Sequence, residues 1–470
     1  MWRILKPAFA IATTFAFATN ALANADAGAP PKKMTLADCL RVGVEKSFQL
    51  ADAEWQHRAA LARRSEARWS RWFPYMEIGF IFAPMPEMRG NPLDGTPICD
   101  KVAGVCSANP TDVGFDRVTG GYGTYKKFDF NLVMPLDVAL KLTAVDKIAS
   151  RAADAVAHQR ERTRRRVIYD VTRAFWAVKT ARAVDDLLED GMDKVRSGRK
   201  TILERLAKKE KGYTKTDLYK FDAFSADAEG KYAEAKKFTA LGLSTLKLAM
   251  GLSETDLLDV DDDELEATKA TLLSEETVRE MAVTRRHDLR ALKSAVEAKR
   301  AHVSLQKRQL APDLYIAFNF SGQHSNVADA PANVWVNGIA NTVGFAVFAG
   351  LKWTLDIPQK LARIRQAEAE LKSLTTQFEL ATRAIAFEAK QAYHELAEQR
   401  TKLAVNQKAK KSMRQWLISS MLNFETGLIE TRDLIDALGA YFKAMAALYR
   451  AIHDHNVGVA NLAFVTEGEE

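Results

Sequence analysis

Few residues of this 470-residue sequence are spaced for chemistry. A catalytic site would need a nucleophile beside a base, a glycine-rich phosphate loop or a set of metal-spaced ligands, and the sequence shows no such pattern. His453 and His455 stand two apart in a helical pattern, do not share a face, and read as solvated or packed side chains. The run Asp261-Asp262-Asp263 has the charge for a cation but no ligand-loop spacing, which makes it a solvated turn. Cys99 and Cys106 lie in one Gly/Pro/Asp-rich loop, either as a local disulfide or as two free thiols; spacing leaves both open. Cys39 falls on the apolar side of a helical pattern, where a buried, inert thiol is expected. These residue types point away from an enzyme and give no sign of a cofactor or metal.

The ends and the composition narrow the class. Arg3 and Lys6 precede an apolar run from Pro7 to Ala21, and Ala21-Leu22-Ala23 or Ala23-Asn24-Ala25 offers a small-x-small cleavage site. Residues 1–23 therefore read as a signal peptide, too short for a lasting membrane span. No cysteine follows directly, so lipid attachment there is not expected. Beyond the signal no stretch is long and apolar enough for a membrane helix. The formal charge of +7 includes Arg3 and Lys6, and the remaining basic residues alternate with acidic ones along helical stretches. That is the pattern of a solvated helix face, and it argues against nucleic acid as a partner.

The elements themselves are duplicated. A helical pattern from Leu36 ends at Pro74, and one from Glu275 ends at Pro312. After each proline comes an alternating strand, 75–83 with Met76, Ile78, Phe80 and Phe82 on one face, and 313–321 with Leu314, Ile316, Phe318 and Phe320. A polar loop and a second alternating strand follow in each copy, at 126–136 and 344–356. Leu136-Asp137 and Leu355-Asp356 then open very long helical patterns, Val138 to Lys209 and Pro358 to Phe424, each approaching ~100 Å at ~1.5 Å per residue. Each breaks at a glycine, Gly212 or Gly427, before a returning helix from Asp217 to Met250 or Arg432 to Leu462. The organisation is a first repeat over 34–251, an exposed acidic linker with a short helix over 252–273, and a second repeat over 274–465.

Strands with one apolar and one polar face suit a soluble helix-packed sheet or a lipid-facing barrel wall. Trp69, Trp72, Phe73, Tyr75 and Trp353 gather where helices meet strands, the place of an aromatic belt at a membrane surface or of a helix–sheet core. Four strands cannot close a barrel, and lipid tolerates no open sheet edge. Membrane strands would have to be pooled by several subunits, and three copies would supply about twelve.

This layout resembles the TolC-like outer membrane efflux protein family. The matching residues are Met34-Thr35-Leu36-Ala37-Asp38-Cys39-Leu40, the prolines Pro74 and Pro312, Pro135-Leu136, and the tip Gly427-Leu428-Ile429-Glu430-Thr431-Arg432-Asp433-Leu434-Ile435-Asp436-Ala437. The resemblance spans about Met34 to Leu462 and implies a mainly α fold with a small β part. It implies a homotrimer with a twelve-stranded barrel in outer-membrane lipid and a helical tunnel into the periplasm. Its implied partners are a periplasmic adaptor protein and an inner-membrane pump, in efflux or type I secretion, with no cofactor and no reaction. By the same resemblance Asp433 and Asp436 line the narrow mouth as a cation-selective gate, and the tips around Gly212, Asp217 and Gly427 touch the adaptor. A carboxylate in the first turn of a helix is also a simple dipole partner. The family's locking tyrosine and arginine are replaced by Phe424 and Ile429, leaving Arg432, Glu430 or Glu425 to substitute. Asp217 follows Gly212 one residue earlier than the second copy predicts. The rival readings are a periplasmic adaptor, which would carry one helical hairpin within a lipoyl-like domain, and an exported coiled-coil scaffold, which needs no two-faced strands.

Overall fold

The computed structural model describes residues 32–86, 98–99, 106–107, 122–208, 214–261, 263–328, 340–426 and 428–468. The expected signal peptide and the tip glycines Gly212 and Gly427 lie outside these residues. In chain order the first repeat is β1 (Lys32–Met34), α1 (Leu36–Lys46), α2 (Phe48–Trp72), β2 (Tyr75–Pro86), β3 (Ile98–Cys99), β4 (Cys106–Ser107), β5 (Tyr122–Leu136), α3 (Lys141–Ala207) and α4 (Lys215–Met250). After β6 (Leu258–Val260) the second repeat is α5 (Glu275–Arg285), α6 (His287–Arg308), β7 (Asp313–Ser325), β8 (Thr342–Lys352), α7 (Ile357–Glu425) and α8 (Thr431–Thr466).

Local chemistry accounts for the matched elements. Thr35 and Asp38 close a reciprocal capping box on α1, and the Ser274 hydroxyl caps α5 by accepting from Thr277 N. Each opening helical pattern is two helices, not one, because Ser47 (φ −59°, ψ 124°) and Arg286 (φ −57°, ψ 125°) leave the helix at matched points. Neither is Gly or Pro. At Arg286 the kink is held by tertiary charge, since its buried guanidinium pairs with Asp288 and Glu388, each at 2.6 Å. Gly251 ends α4 with φ +73°, and a Cβ there would meet the Lys46 carbonyl oxygen, so glycine is required. At the turn from β5 into α3, the Asp137 carboxylate accepts from Leu142 N and Thr143 N, both at 2.9 Å.

Strands β2, β5, β7 and β8 form one antiparallel sheet in that order. Strand β8 is shorter than the pattern 344–356 suggests. The Trp353 indole donates to Leu310 O at 3.0 Å and Lys360 reaches Thr354 O, which turns the chain off the sheet toward α7. The helices next to the sheet form a curved wall, α2 on α3, α3 on α6, and α6 on α7, so the wall repeats the sheet order. Farther from the sheet α3 pairs with α4 and α7 with α8, and these hairpins meet around Phe221, Ile202, Phe424 and Leu434. Helices α3 and α7, at 67 and 69 residues, are about 100 Å long.

A belt of charged side chains crosses the wall at one level. Glu54 of α2 meets Arg160 of α3 at 3.1 Å, and His158 of α3 meets His287 of α6 with Nδ1 atoms 3.2 Å apart. The buried Glu467 carboxylate, just past α8, accepts His287 N at 3.0 Å and pairs with Arg162 at 3.3 Å. Arg286 then passes the belt to Glu388 of α7. Burial, reinforced by the facing His287 and by Arg290, holds the His158 imidazole below its usual pKa.

Many residues of the acidic segment 252–273 are exposed, but the expected short helix is not seen. Its described residues contain no helix, and β6 pairs in parallel with β1, burying Leu258 and Val260. Lys179 pairs with Asp261 and Arg182 with Asp259, while the Asn456 side chain holds Glu266 O and Thr268 N at 2.9 and 2.8 Å. Within the acid run Asp261 is paired with α3, while Asp263 is exposed. Cys39 is fully buried in the core around Val171 and Phe175, and burial pushes its thiol up to about 12, as an inert cysteine requires. His455 is buried with its ring nitrogen 3.1 Å from Thr268 O, the packed reading.

Candidate functional site

The sheet sorts its side chains by face. One face carries cross-strand rows such as Ile78–Phe130–Phe320–Phe345 and Met76–Leu132–Phe318–Val347. On the edge strands these residues are open to the surroundings, with Ile78 69% and Phe345 76% exposed. A monomeric soluble protein rarely leaves so large an apolar patch uncovered. The other face carries Glu77–Asn131–Asn319 and Asp129–Ser321 rows, with Ser321 Oγ donating to Asp129 at 2.9 Å and Lys127 pairing with Asp129 at 2.9 Å. Gln323 joins Tyr125 OH and Thr342 across the same face. Where this polar face meets the helices a hollow of about 1150 Å³ opens, lined by Tyr315, Asn319, Lys141, Asp313, Lys352 and Asp356 among others. Trp69, Trp72, Phe73, Tyr75 and Trp353 ring the junction and are more than half exposed, so they do not fill a helix–sheet core.

The edges of the sheet are β2 and β8, and they run in opposite directions. Among the described residues neither edge has a partner on its outer side. The flanking helices leave matching open sides on α2 and α7.

At the far end the two hairpin tips hold the remaining candidate residues. Thr214 and Asp217 form a capping box on α4, with Asp217 at the third helical position. Hydrogen bonds from Thr214, with Lys220 nearby, hold the Asp217 carboxyl below its usual range. Asp433 occupies the same third position of α8, because Glu430 is its N-cap. The one-residue offset counted from the glycines is therefore taken up in the turn. Glu430 makes no side-chain cap bond, and both Asp433 and Asp436 are exposed. Arg432 approaches Asp436 at 3.8 Å on its own helix, so it makes no described link between the tips.

Among the described residues a polar link between the tips comes from a residue that spacing did not single out. Arg205, in the last turn of α3, donates to Phe424 O at 3.2 Å and Glu425 O at 2.6 Å and lies over the Phe424 ring. It satisfies carbonyls left open at the end of α7. A basic residue in a last helical turn was the only signal available. In the loop between β2 and β5, Cys99 and Cys106 stand directly opposite each other as Cα partners in a two-residue antiparallel ladder.

Comparison with known proteins matches this geometry. The family described as outer membrane efflux protein matches residues 278–466, which is the second repeat. Among curated protein sequences none matches the chain. The solved CmeC outer membrane channel of Campylobacter jejuni superposes with a TM-score of 0.74 at 13% identity, over 92% of this chain and 85% of that one. For the outer membrane protein VceC of Vibrio cholerae the values are 0.72, 14%, 92% and 96%. The open-state MtrE channel of Neisseria gonorrhoeae gives 0.71, 14%, 92% and 89%. The second repeat of the chain thus matches the outer membrane efflux protein family, and nearly the whole length of the chain has the fold of these solved channels.

Proposed function

We propose that three copies of this chain form an outer-membrane channel whose helical tunnel receives substrates from an inner-membrane pump through a periplasmic adaptor. One observation carries the reading: a four-stranded antiparallel sheet with an oily exposed face, a polar opposite face and two edges of opposite direction left unpaired among the described residues. Joining β8 of one copy to β2 of the next continues the antiparallel ladder, and three copies of four strands give twelve around a polar lumen. The oily rows would then face lipid and the Trp69–Trp72 junction would lie at the membrane surface. Neither an adaptor nor an exported coiled-coil scaffold has a use for such a sheet.

In this reading Asp433 and Asp436 ring the mouth and favour cations, since repeated carboxylates around a three-fold axis lower cation energy in a narrow pore. The hairpin ends around Gly212, Asp217 and Gly427 meet the adaptor. The facing of Cys99 and Cys106 supports a loop disulfide in an oxidising compartment, readable as a 2 Da mass difference on reduction. Residues 1–23 are the export signal and 252–273 fasten the two repeats. The test is membrane fractionation followed by native mass measurement of detergent-extracted protein and planar-bilayer recording. A trimer with a conducting pore is expected, and a soluble monomer without conductance would refute the proposal.

A further inference from the structure

Beneath the sheet the helical wall carries two hollows, and they open on opposite sides. The one described above is lined on α3 by Lys141, Leu142 and Val145 and lies under the polar face of the sheet. A second, of about 390 Å³, is lined on α3 by Lys147 and Arg151 and on α6 by Glu297, Arg300, Ser304 and Arg308, among others. At about 100° per residue, Lys147 lies about 200° around α3 from Val145, and Arg300 about 180° around α6 from Gln309 of the first hollow. The second hollow therefore opens on the side of the oily sheet face. It sits between two central helices of the wall, away from the flanks on α2 and α7.

Its charge is unbalanced. Arg151 is shared between Glu297 at 3.0 Å and Asp154 at 3.3 Å, and Arg308 donates to Leu140 O at 2.6 Å. Lys147 and Arg300 are exposed and have no ion-pair or hydrogen-bond partner among the described residues. The next pair of helices is balanced, with Lys299 of α6 on Glu370 of α7 at 2.8 Å and Lys307 on Glu368 at 2.7 Å. Cations lining one hollow repel one another, and an anion placed there relieves that cost. Arg308 is the last residue of α6, and Lys147 lies about 9 Å beyond the start of α3, so the cations begin where the sheet ends. In a barrel wall that is headgroup level, next to the exposed Trp69 and Trp72. Resting on the channel reading above, we propose that this groove holds the phosphate of an anionic phospholipid of the periplasmic leaflet, with Lys147 and Arg300 as its principal cations. The acyl chains continue along the rows Leu132–Phe318 and Phe130–Phe320 of β5 and β7, the strands that run into α3 and out of α6. Free phosphate has the charge but no use for these rows.

The test is native mass measurement of full-length protein extracted in mild detergent and titrated with dioleoyl phosphatidylglycerol or zwitterionic dioleoyl phosphatidylcholine. The wild type should take up the anionic lipid preferentially, one per protomer. Lys147→Gln with Arg300→Gln should lower that preference on the order of tenfold. Lys299→Gln with Lys307→Gln, which removes the same charge from the balanced pair of helices, should leave it unchanged. Wild-type protein that binds the two lipids alike, or an equal loss in both double variants, overturns the site. Displacement of phosphatidylglycerol by inorganic phosphate would make a free anion the occupant and overturns the lipid assignment. Salt gives a reading without any substitution. Raising ammonium acetate roughly tenfold should abolish the wild-type preference, and a preference indifferent to salt overturns an ionic site. If any of these fails on a membrane-extracted trimer, the channel reading stands, whereas a soluble monomer overturns both.

Discussion

At the first hairpin tip Thr214 and Asp217 cap α4 reciprocally, and Lys220 sits 3.8 Å from the Asp217 carboxylate. At the second tip Glu430 makes no side-chain cap bond, Asp433 takes the position of Asp217, and Asp436 takes the position of Lys220. The same geometric slots thus hold an acid and a base in one copy and two acids in the other. In the first tip the carboxylate is spent on its own helix. In the second both carboxylates face outward. The scaffold is matched in the two copies, but among the described residues the acid at the third helical position is tied to its cap only in the first.

The largest expected effect tests that asymmetry. Replacing Asp433 and Asp436 by asparagine should abolish cation preference and weaken block by multivalent cations on the order of tenfold or more, measured by reversal potential and single-channel block. Asp217→Asn should leave both unchanged. Equal effects from the two tips would erase the distinction. Next, Arg205→Ala should raise amide exchange at Phe424 to Leu428 by several-fold, since the end of α7 loses its donor to two carbonyls. Protection unchanged there would remove Arg205 as the link between tips. Third, Thr214→Ala should cost about 1 kcal/mol of local stability and Glu430→Ala close to none, because only the first cap uses its side chain. The comparison can be read by exchange protection at the start of α4 and α8. The smallest effect is on pH. Asp217 has a folded pKa below its ordinary 3.8, so its capping contribution is complete above that value and fades as pH falls through the lower folded one. Exchange protection at the start of α4 should therefore drop on the acid side of about pH 4, and Asp217→Asn should flatten that response.

Much of the architecture was legible because it is written in local periodicity. The alternation at Met76 to Phe82 and Phe345 to Leu351 gave strands and faces, and the glycines at both tips gave hairpins. What escaped was set by distant partners. The departures at Ser47 and Arg286 use residues with no turn preference, and Arg286 is held by Glu388, 102 positions away. The pairing of Asp259 and Asp261 could not be seen in the acidic segment because their partners Arg182 and Lys179 lie on another helix. At the tip, the acids could be found by their motif, but Arg205 acts on backbone carbonyls and leaves no complementary residue type to pair it with.

The parallel pairing of β1 with β6 bears on the order in which the chain matures. Lys32 meets Leu258, 226 positions later, so this latch cannot close until the first repeat and its continuation are both available. The entropy of closing so long a loop grows only slowly with length, but the wait does not. A folding chain must carry its first strand unpaired through the assembly of an entire hairpin, and Met34 enters the core beside Val260 only when the second half begins to arrive. This three-residue strand is thereby a late checkpoint, one that a chain truncated after its first repeat can never pass.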